Sequence, residues 1–102
     1  LVILICDEER RLLQPIQIDG IPPRPPADAA PIYGRIAATI GGHPGLGVLC
    51  ALARPRRLRV TADDVAWRSV LAEAFDGHAE VLGFRVVTPE GSIPVSAIGE
   101  AA

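Results

Sequence analysis

Short apolar runs alternate with polar segments along this chain, and proline and glycine are frequent between the runs. The apolar residues 1–6, the polar residues 7–11 and the alternating residues 12–18 together predict a hairpin of two strands. We expect the first strand to be buried on both faces. Because Pro15 cannot donate a backbone hydrogen bond, the second strand is predicted at a sheet edge or a bulge.

Two later segments carry apolar residues at helical spacing. The first follows Asp28, which we interpret as its N-cap, and it ends at Gly41 and Gly42. The second follows Thr61, which forms a shortened capping box with Asp64. An apolar stripe on the second helix comprises Trp67, Val70, Leu71, Ala74 and Phe75. We expect this stripe to pack against the sheet, because its members share one face of the helix.

Three further strands are predicted at residues 48–52, 79–88 and 93–98, with a turn between the last two. The order β-β-α-β-α-β-β predicts an α/β domain with a mixed sheet. Pairing is then parallel across the β-α-β crossover and antiparallel in the flanking hairpins. Residues 48–52 are apolar throughout, so we place this strand at the centre of the sheet of a two-layer or three-layer domain. Its two apolar faces lead us to expect helices on either side.

The length, hydrophobic content and net charge of the chain limit the classes of protein to which it can belong. A length of 102 residues, of which 49% are hydrophobic, suits one domain that spans residues 1–102. A net charge of −2 does not favour nucleic acid as a partner, and no apolar run is long enough to span a membrane. Since there is no signal-peptide pattern, we expect a cytoplasmic location. Because the chain begins at Leu1 and contains no Met, we expect it to be part of a longer product.

The side chains that most often carry catalysis are isolated along the chain. Cys6 and Cys50 lie in apolar runs and are predicted to be buried, with a disulfide or a reactive thiol as the alternatives. His43 and His78 have no partner at metal-ligand spacing and are expected to be exposed. The serines lie in no nucleophile-elbow pattern. We therefore expect no cofactor and no catalytic triad.

Three segments resemble one known family. LVILICDEERRLL is similar to the first hairpin of the RadC-like branch of the JAB/MPN (JAMM) superfamily. GLGVLCALARP is similar to its central strand, and TADDVAWRSVLAEAFDGHAEVLGFRVVTPEGSIPVS to the helix, strand and hairpin that follow. The resemblance covers nearly the whole chain and implies a layered JAB-like fold. A deaminase-like domain shares this general layout and is the alternative.

The resemblance also implies a lost metal site. Active members of the family bind zinc through His-x-His and a downstream Asp. The two His positions fall on Leu52 and Arg54, while Pro55 is retained and Asp64 stands at the place of the Asp. Leu52 cannot ligate a metal and Arg54 would repel one, so that one carboxylate remains where zinc needs several ligands. The resemblance therefore implies a domain without the family's catalysis.

Four arginines lie on the loop where that site would be: Arg54, Arg56, Arg57 and Arg59. Guanidinium groups suit carboxylates and phosphates, so the cluster predicts a site for a small anion or an acidic protein partner. The alternative is a solvated loop balanced by Asp63 and Asp64. We expect Arg54 to make the main contact with such a ligand, and Arg54→Ala to leave the stability of the free protein nearly unchanged.

Three hypotheses for the function follow. The first is a non-catalytic module that binds a protein partner or a small anion at the degenerate site. The second is an enzyme of deaminase-like or hydrolase type, completed by residues outside this chain. The third is a structural or dimerisation domain that forms a homodimer through the edge of its first or second strand.

Overall fold

The computed structural model describes residues 1–40, 45–55 and 57–95. Five strands and two helices follow one another along these residues. They are β1 (Val2–Cys6), β2 (Leu12–Gln17), α1 (Ala29–Ile40), β3 (Gly47–Ala53), α2 (Ala62–Phe75), β4 (Glu80–Thr88) and β5 (Gly91–Pro94). The predicted class, a mixed α/β domain with a mixed sheet, is confirmed at this level.

The strands form one sheet in the order β2-β1-β3-β4-β5. The prediction that residues 48–52 form the central strand is confirmed, since β3 lies between β1 and β4. It is antiparallel to β1 and parallel to β4, as a crossover through α2 requires. Strand β2, which contains Pro15, lies at one edge, where the missing N–H leaves no gap in the ladder. The prediction that β1 offers an edge is wrong, because it is paired on both sides.

Both helices lie on one face of the sheet. The rings of Tyr33 on α1 and Trp67 on α2 meet edge to face, with centroids 5.7 Å apart. Ile3, Val48 and their neighbours on that face are buried beneath the helices. Of the two arrangements predicted, the two-layer one is observed, and the expectation of helices on both sides of β3 is wrong. Because α1 packs against α2, the opposite side of β3 is open, and Leu49 there is 36% exposed.

The prediction that β1 is buried on both faces is also wrong. Its odd-numbered residues Ile3 and Ile5 are buried, while Val2 and Leu4 are only half-buried. Side chains alternate between the two faces of a strand, so a sheet with helices on one side buries every second residue. The strand is therefore covered on one face, in contrast to the predicted burial on both.

Helix α2 is placed as its apolar stripe predicts. Trp67, Leu71 and Phe75 are buried in the core, while Val70 packs at its margin. The indole N–H of Trp67 is shared between the carbonyl oxygens of Pro22 and Pro23, at 3.3 and 3.1 Å. This contact ties the proline-rich connector at residues 20–26 to α2. The connector therefore forms an ordered wall of the domain.

The predicted ends of the elements are close to those in the structure. Helix α1 begins directly after Asp28, whereas its predicted end at Gly41 and Gly42 lies outside the described residues. Strand β5 begins at Gly91, two residues before the prediction, because a two-residue turn joins it to β4. The predicted continuation through residues 96–98 lies outside the described residues.

Candidate functional site

The loop at residues 54–59, hereafter the arginine loop, joins β3 to the start of α2. The Arg54 side chain lies inside this loop. Its Nε and one Nη2 hydrogen donate to the Asp64 carboxylate, at 3.0 and 2.8 Å. The other three N–H groups donate to the backbone carbonyls of Pro55, Arg57 and Arg59. All five guanidinium donors are thus used within the chain.

Asp64 is the other half of this arrangement and is only 1% exposed. Besides Arg54, its carboxylate accepts a hydrogen bond from the Thr61 backbone N–H at 2.8 Å, and its own N–H donates to the Thr61 hydroxyl at 3.2 Å. The predicted capping box is confirmed. Burial by itself raises the pKa of Asp64, but the hydrogen bonds from Arg54 and Thr61 outweigh it and hold the pKa below its ordinary value. The same ion pair raises the pKa of Arg54.

The three positions that the resemblance assigns to the degenerate metal site lie together. Leu52, Arg54 and Asp64 all line one pocket. The oxygens of Asp64 are directed at a guanidinium and a backbone N–H in this pocket. Within residues 1–40, 45–55 and 57–95, no group of three His, Cys, Asp or Glu side chains is arranged to hold a metal ion.

The pocket has a volume of about 270 Å³ and lies where β3, the connector and the start of α2 meet. Most of its wall is apolar, and the polar groups stand on the side of the helix. It is lined by Ile21, Pro22, Pro23, Leu52, Ala53, Arg54, Pro55, Thr61, Asp63 and Asp64. Sequence reasoning missed the connector side of the pocket. The only available signal was the proline-rich stretch itself, which shows stiffness but not position.

Further charged side chains lie on the connector and the arginine loop, the two segments beside the pocket. Arg24 pairs with Asp63 at 3.2 Å, and because both are solvent-accessible this pair contributes little to stability. Arg57 and Arg59 are exposed on the arginine loop, whose curvature is fixed by the hydrogen bonds of Arg54. The loop is also held from outside, where the Leu58 N–H donates to the Glu90 carboxylate at 2.6 Å. The fourth predicted residue of the cluster, Arg56, lies outside the described residues.

The cysteines, His78 and Ser69, which were also considered for a chemical role, do not line this pocket. Cys6 and Cys50 are free and buried, as predicted, and burial raises the pKa of the Cys50 thiol to about 12. His78 is exposed beyond α2, as predicted, whereas His43 lies outside the described residues. Ser69 donates its hydroxyl to the Val65 carbonyl at 3.1 Å, a bond within its own helix.

No protein-family model, curated protein or solved structure matches this chain. The resemblance to the JAB/MPN superfamily therefore stays a prediction from sequence. None of the described helices has the length and apolarity needed to cross a membrane.

Proposed function

We propose that this domain is a non-catalytic binding module whose pocket beside Arg54 and Asp64 receives an apolar side chain of a protein partner, flanked in that partner by carboxylates. The observation that carries the proposal is the complete internal use of the Arg54 donors next to an open pocket. The pocket presents a concave, mostly apolar surface to a ligand. Its charged groups Arg54 and Asp64 bind each other and hold the loop.

The Arg54–Asp64 pair supports a binding role over a reactive one. A general acid, a general base or a metal ligand needs an atom that is free to meet the substrate. The Asp64 oxygens are occupied by Arg54 and Thr61. The lowered pKa of Asp64 and the raised pKa of Arg54 keep the carboxylate ionised and the guanidinium protonated near neutral pH. The pair therefore acts as a fixed part of the pocket wall.

The apolar wall supports a side-chain ligand. Pro22, Pro23 and Pro55 have restricted backbones, so that this part of the wall needs little ordering when a ligand binds. A volume of about 270 Å³ lies just below the range of small-molecule sites, which is roughly 300–1,000 Å³. One leucine or phenylalanine side chain fits this space better than a nucleotide does.

The arginines on the segments beside the pocket support carboxylates next to that anchor. Arg57 and Arg59 are exposed on the arginine loop, and Arg24 stands opposite Asp63. Asp63 and Glu90 oppose part of this positive charge, because Asp63 pairs with Arg24 and Glu90 accepts a hydrogen bond from the Leu58 N–H. The exposed Arg57 and Arg59 are the groups proposed to meet the carboxylates of the partner. An acidic partner is attracted to this surface, and salt weakens the attraction because the groups are exposed.

Trp67 provides the test, since it is the only tryptophan and its indole contacts the carbonyls of Pro22 and Pro23 in the pocket wall. The probe is a synthetic peptide, Asp-Asp-Leu-Asp-Asp, compared with Asp-Asp-Ser-Asp-Asp and with inorganic phosphate. We expect the leucine peptide alone to give a saturable change in Trp67 fluorescence, which weakens as salt rises.

Matched variants distinguish binding at the pocket from nonspecific electrostatic attraction to the protein surface. The double variant R57E/R59E is expected to weaken binding at least about 10-fold, as the loss of two charge contacts implies. Arg35→Glu, an exposed arginine on α1 outside the pocket, is the control and is expected to leave binding unchanged. Equal binding of the serine peptide, or equal loss in both variants, would contradict the proposal. A response to phosphate alone would indicate a small-anion site.

A further inference from the structure

The turn between β4 and β5 lies against the arginine loop. The Glu90 carboxylate of this turn accepts the hydrogen bond of the Leu58 backbone N–H at 2.6 Å. Leu58 stands between Arg57 and Arg59, the two exposed arginines proposed to meet the carboxylates of a partner. We propose that Glu90 is a positioning residue for this recognition, which holds the backbone between the two arginines so that both guanidinium groups reach one acidic ligand. This role rests on the proposed function, in which an acidic partner binds beside the pocket.

The backbone at Leu58 forms a tight turn. The Arg59 N–H donates to the Arg57 carbonyl at 2.9 Å, so that Leu58 is the central residue of a three-residue turn. From inside the loop, Arg54 donates to the carbonyls of Arg57 and Arg59. These bonds hold the carbonyl groups of the turn, whereas the bond to Glu90 holds the N–H of its central residue. The turn is therefore held from both sides.

The turn that carries Glu90 is itself constrained. Thr88 pairs with Gly91, so that Pro89 and Glu90 alone form the connection between the two strands. The ring of Pro89 restricts its backbone, and the Glu90 N–H donates to the hydroxyl of the buried Thr88 at 3.1 Å. The Glu90 carboxylate is thus presented from a fixed backbone position, and it needs little ordering to accept the Leu58 N–H.

An apolar contact accompanies this hydrogen bond. The Leu58 side chain lies over Gly91, where an added Cβ would be 3.3 Å from the Leu58 Cδ2 atom. Leu58 is half-buried, in contrast to the exposed Arg57 and Arg59 on either side of it. The middle of the turn is therefore fixed to the hairpin, while the arginines that flank it are open to solvent.

Glu90 holds the loop without occupying the guanidinium groups. Among the described residues, neither Arg57 nor Arg59 forms an ion pair, and Glu90 binds the backbone between them. A hydrogen bond to an ionised carboxylate is stronger than one between neutral groups, so that a single bond can fix this backbone. The same carboxylate repels an acidic partner. A variant that loses the charge but keeps the acceptor therefore separates positioning from repulsion.

Hydrogen exchange of the Leu58 amide, followed by NMR, tests the contact without any ligand. Glu90→Ala removes the acceptor and is expected to speed this exchange at least about 3-fold. Glu90→Gln loses the same charge but keeps an oxygen that accepts the N–H, and we expect exchange near the wild-type rate. Glu73→Ala, which removes an exposed carboxylate from α2, is the control and is expected to leave the exchange unchanged.

Binding of the peptide Asp-Asp-Leu-Asp-Asp, followed by Trp67 fluorescence, tests the role in recognition. Glu90→Ala is expected to bind about 3- to 10-fold more weakly than Glu90→Gln, because its arginines must be ordered when the ligand binds. Circular dichroism and thermal unfolding verify that each variant is folded. Equal binding by the two Glu90 variants, or unchanged Leu58 exchange in Glu90→Ala, would overturn the positioning role. A wild-type protein that binds no peptide would instead overturn the proposed function, and the exchange measurement would still decide whether Glu90 holds the loop.

Discussion

Arg54 and Asp64 are ten residues apart in the chain, yet the guanidinium of one forms two hydrogen bonds with the carboxylate of the other. The pair connects the end of β3 to the first turn of α2. Through its remaining donors Arg54 also fixes the backbone of the arginine loop. A single side chain thereby sets the position of the loop, the helix start and one side of the pocket.

Removing Arg54 is expected to destabilise the protein strongly. Arg54→Ala leaves the buried Asp64 carboxylate without its counter-charge, which costs about 3–5 kcal/mol in comparable buried pairs. Arg57→Ala, at an exposed position on the same loop, is expected to change stability by less than about 0.5 kcal/mol. Urea unfolding of both variants measures the difference. A loss below about 1 kcal/mol for Arg54→Ala would show that the pair is not structural.

The stability of the protein is expected to depend on the ionisation of Asp64. Its folded pKa is lower than its ordinary value of 3.8, so its contribution is complete above that value and is lost as pH falls through the folded pKa. Asp64→Asn removes this contribution and should flatten the acid side of the stability curve. Free energies of unfolding between about pH 6 and pH 2, compared for the two proteins, measure it. Parallel curves would contradict the assignment.

Trp67 is expected to contribute both through its ring and through its N–H group. Trp67→Ala removes a buried aromatic side chain and is expected to cost about 3–5 kcal/mol. Trp67→Phe keeps an aromatic ring but leaves the Pro22 and Pro23 carbonyls without their donor. It is expected to cost less than the alanine change and to increase proteolysis within the connector. If the connector of the phenylalanine variant is cleaved no faster than that of wild type, the indole hydrogen bonds do not hold it.

Gly47 is expected to accept a side chain only at a cost. Gly47→Ala brings a Cβ to 2.7 Å from Leu82 Cδ1 and 2.9 Å from Arg10 Nη1, so that these two side chains must shift, at a cost of about 1 kcal/mol. Gly34→Ala on α1 is the matched control, because its added Cβ meets nothing within 4 Å, and there we expect a gain of about 0.5–1 kcal/mol. Leu82→Ala in the same chain should relieve part of the Gly47→Ala cost. Additive losses would mean that the two side chains do not collide.

The sequence was sufficient to predict the parts of the fold that depend on local pattern. The apolar residues 48–52 identify the central strand, and Thr61 with Asp64 identifies the start of α2. The sequence was not sufficient to predict whether helices cover one face of the sheet or both. Leu49 and Ala51 are as apolar as the core residues beside them, and an apolar pattern does not distinguish burial under a helix from burial against another molecule.

The hydrogen bonds at the candidate site were not predictable from the sequence. Leu52, Arg54 and Asp64 were assigned to one location, and all three line the pocket. The direction of the Arg54 side chain was not predictable, because it depends on loop carbonyls whose positions have no sequence signature. For that reason the expectation that Arg54→Ala is harmless gives way to the large loss proposed above.

The indole hydrogen bonds of Trp67 bridge positions 44 and 45 residues apart in the chain. Forming these contacts requires closing a long loop, which carries an entropic cost. The wall that the connector supplies to the pocket therefore depends on the position of α2, because Trp67 on that helix donates to Pro22 and Pro23. A change that displaces α2 would open the pocket on its connector side, even if it touches no residue of the lining.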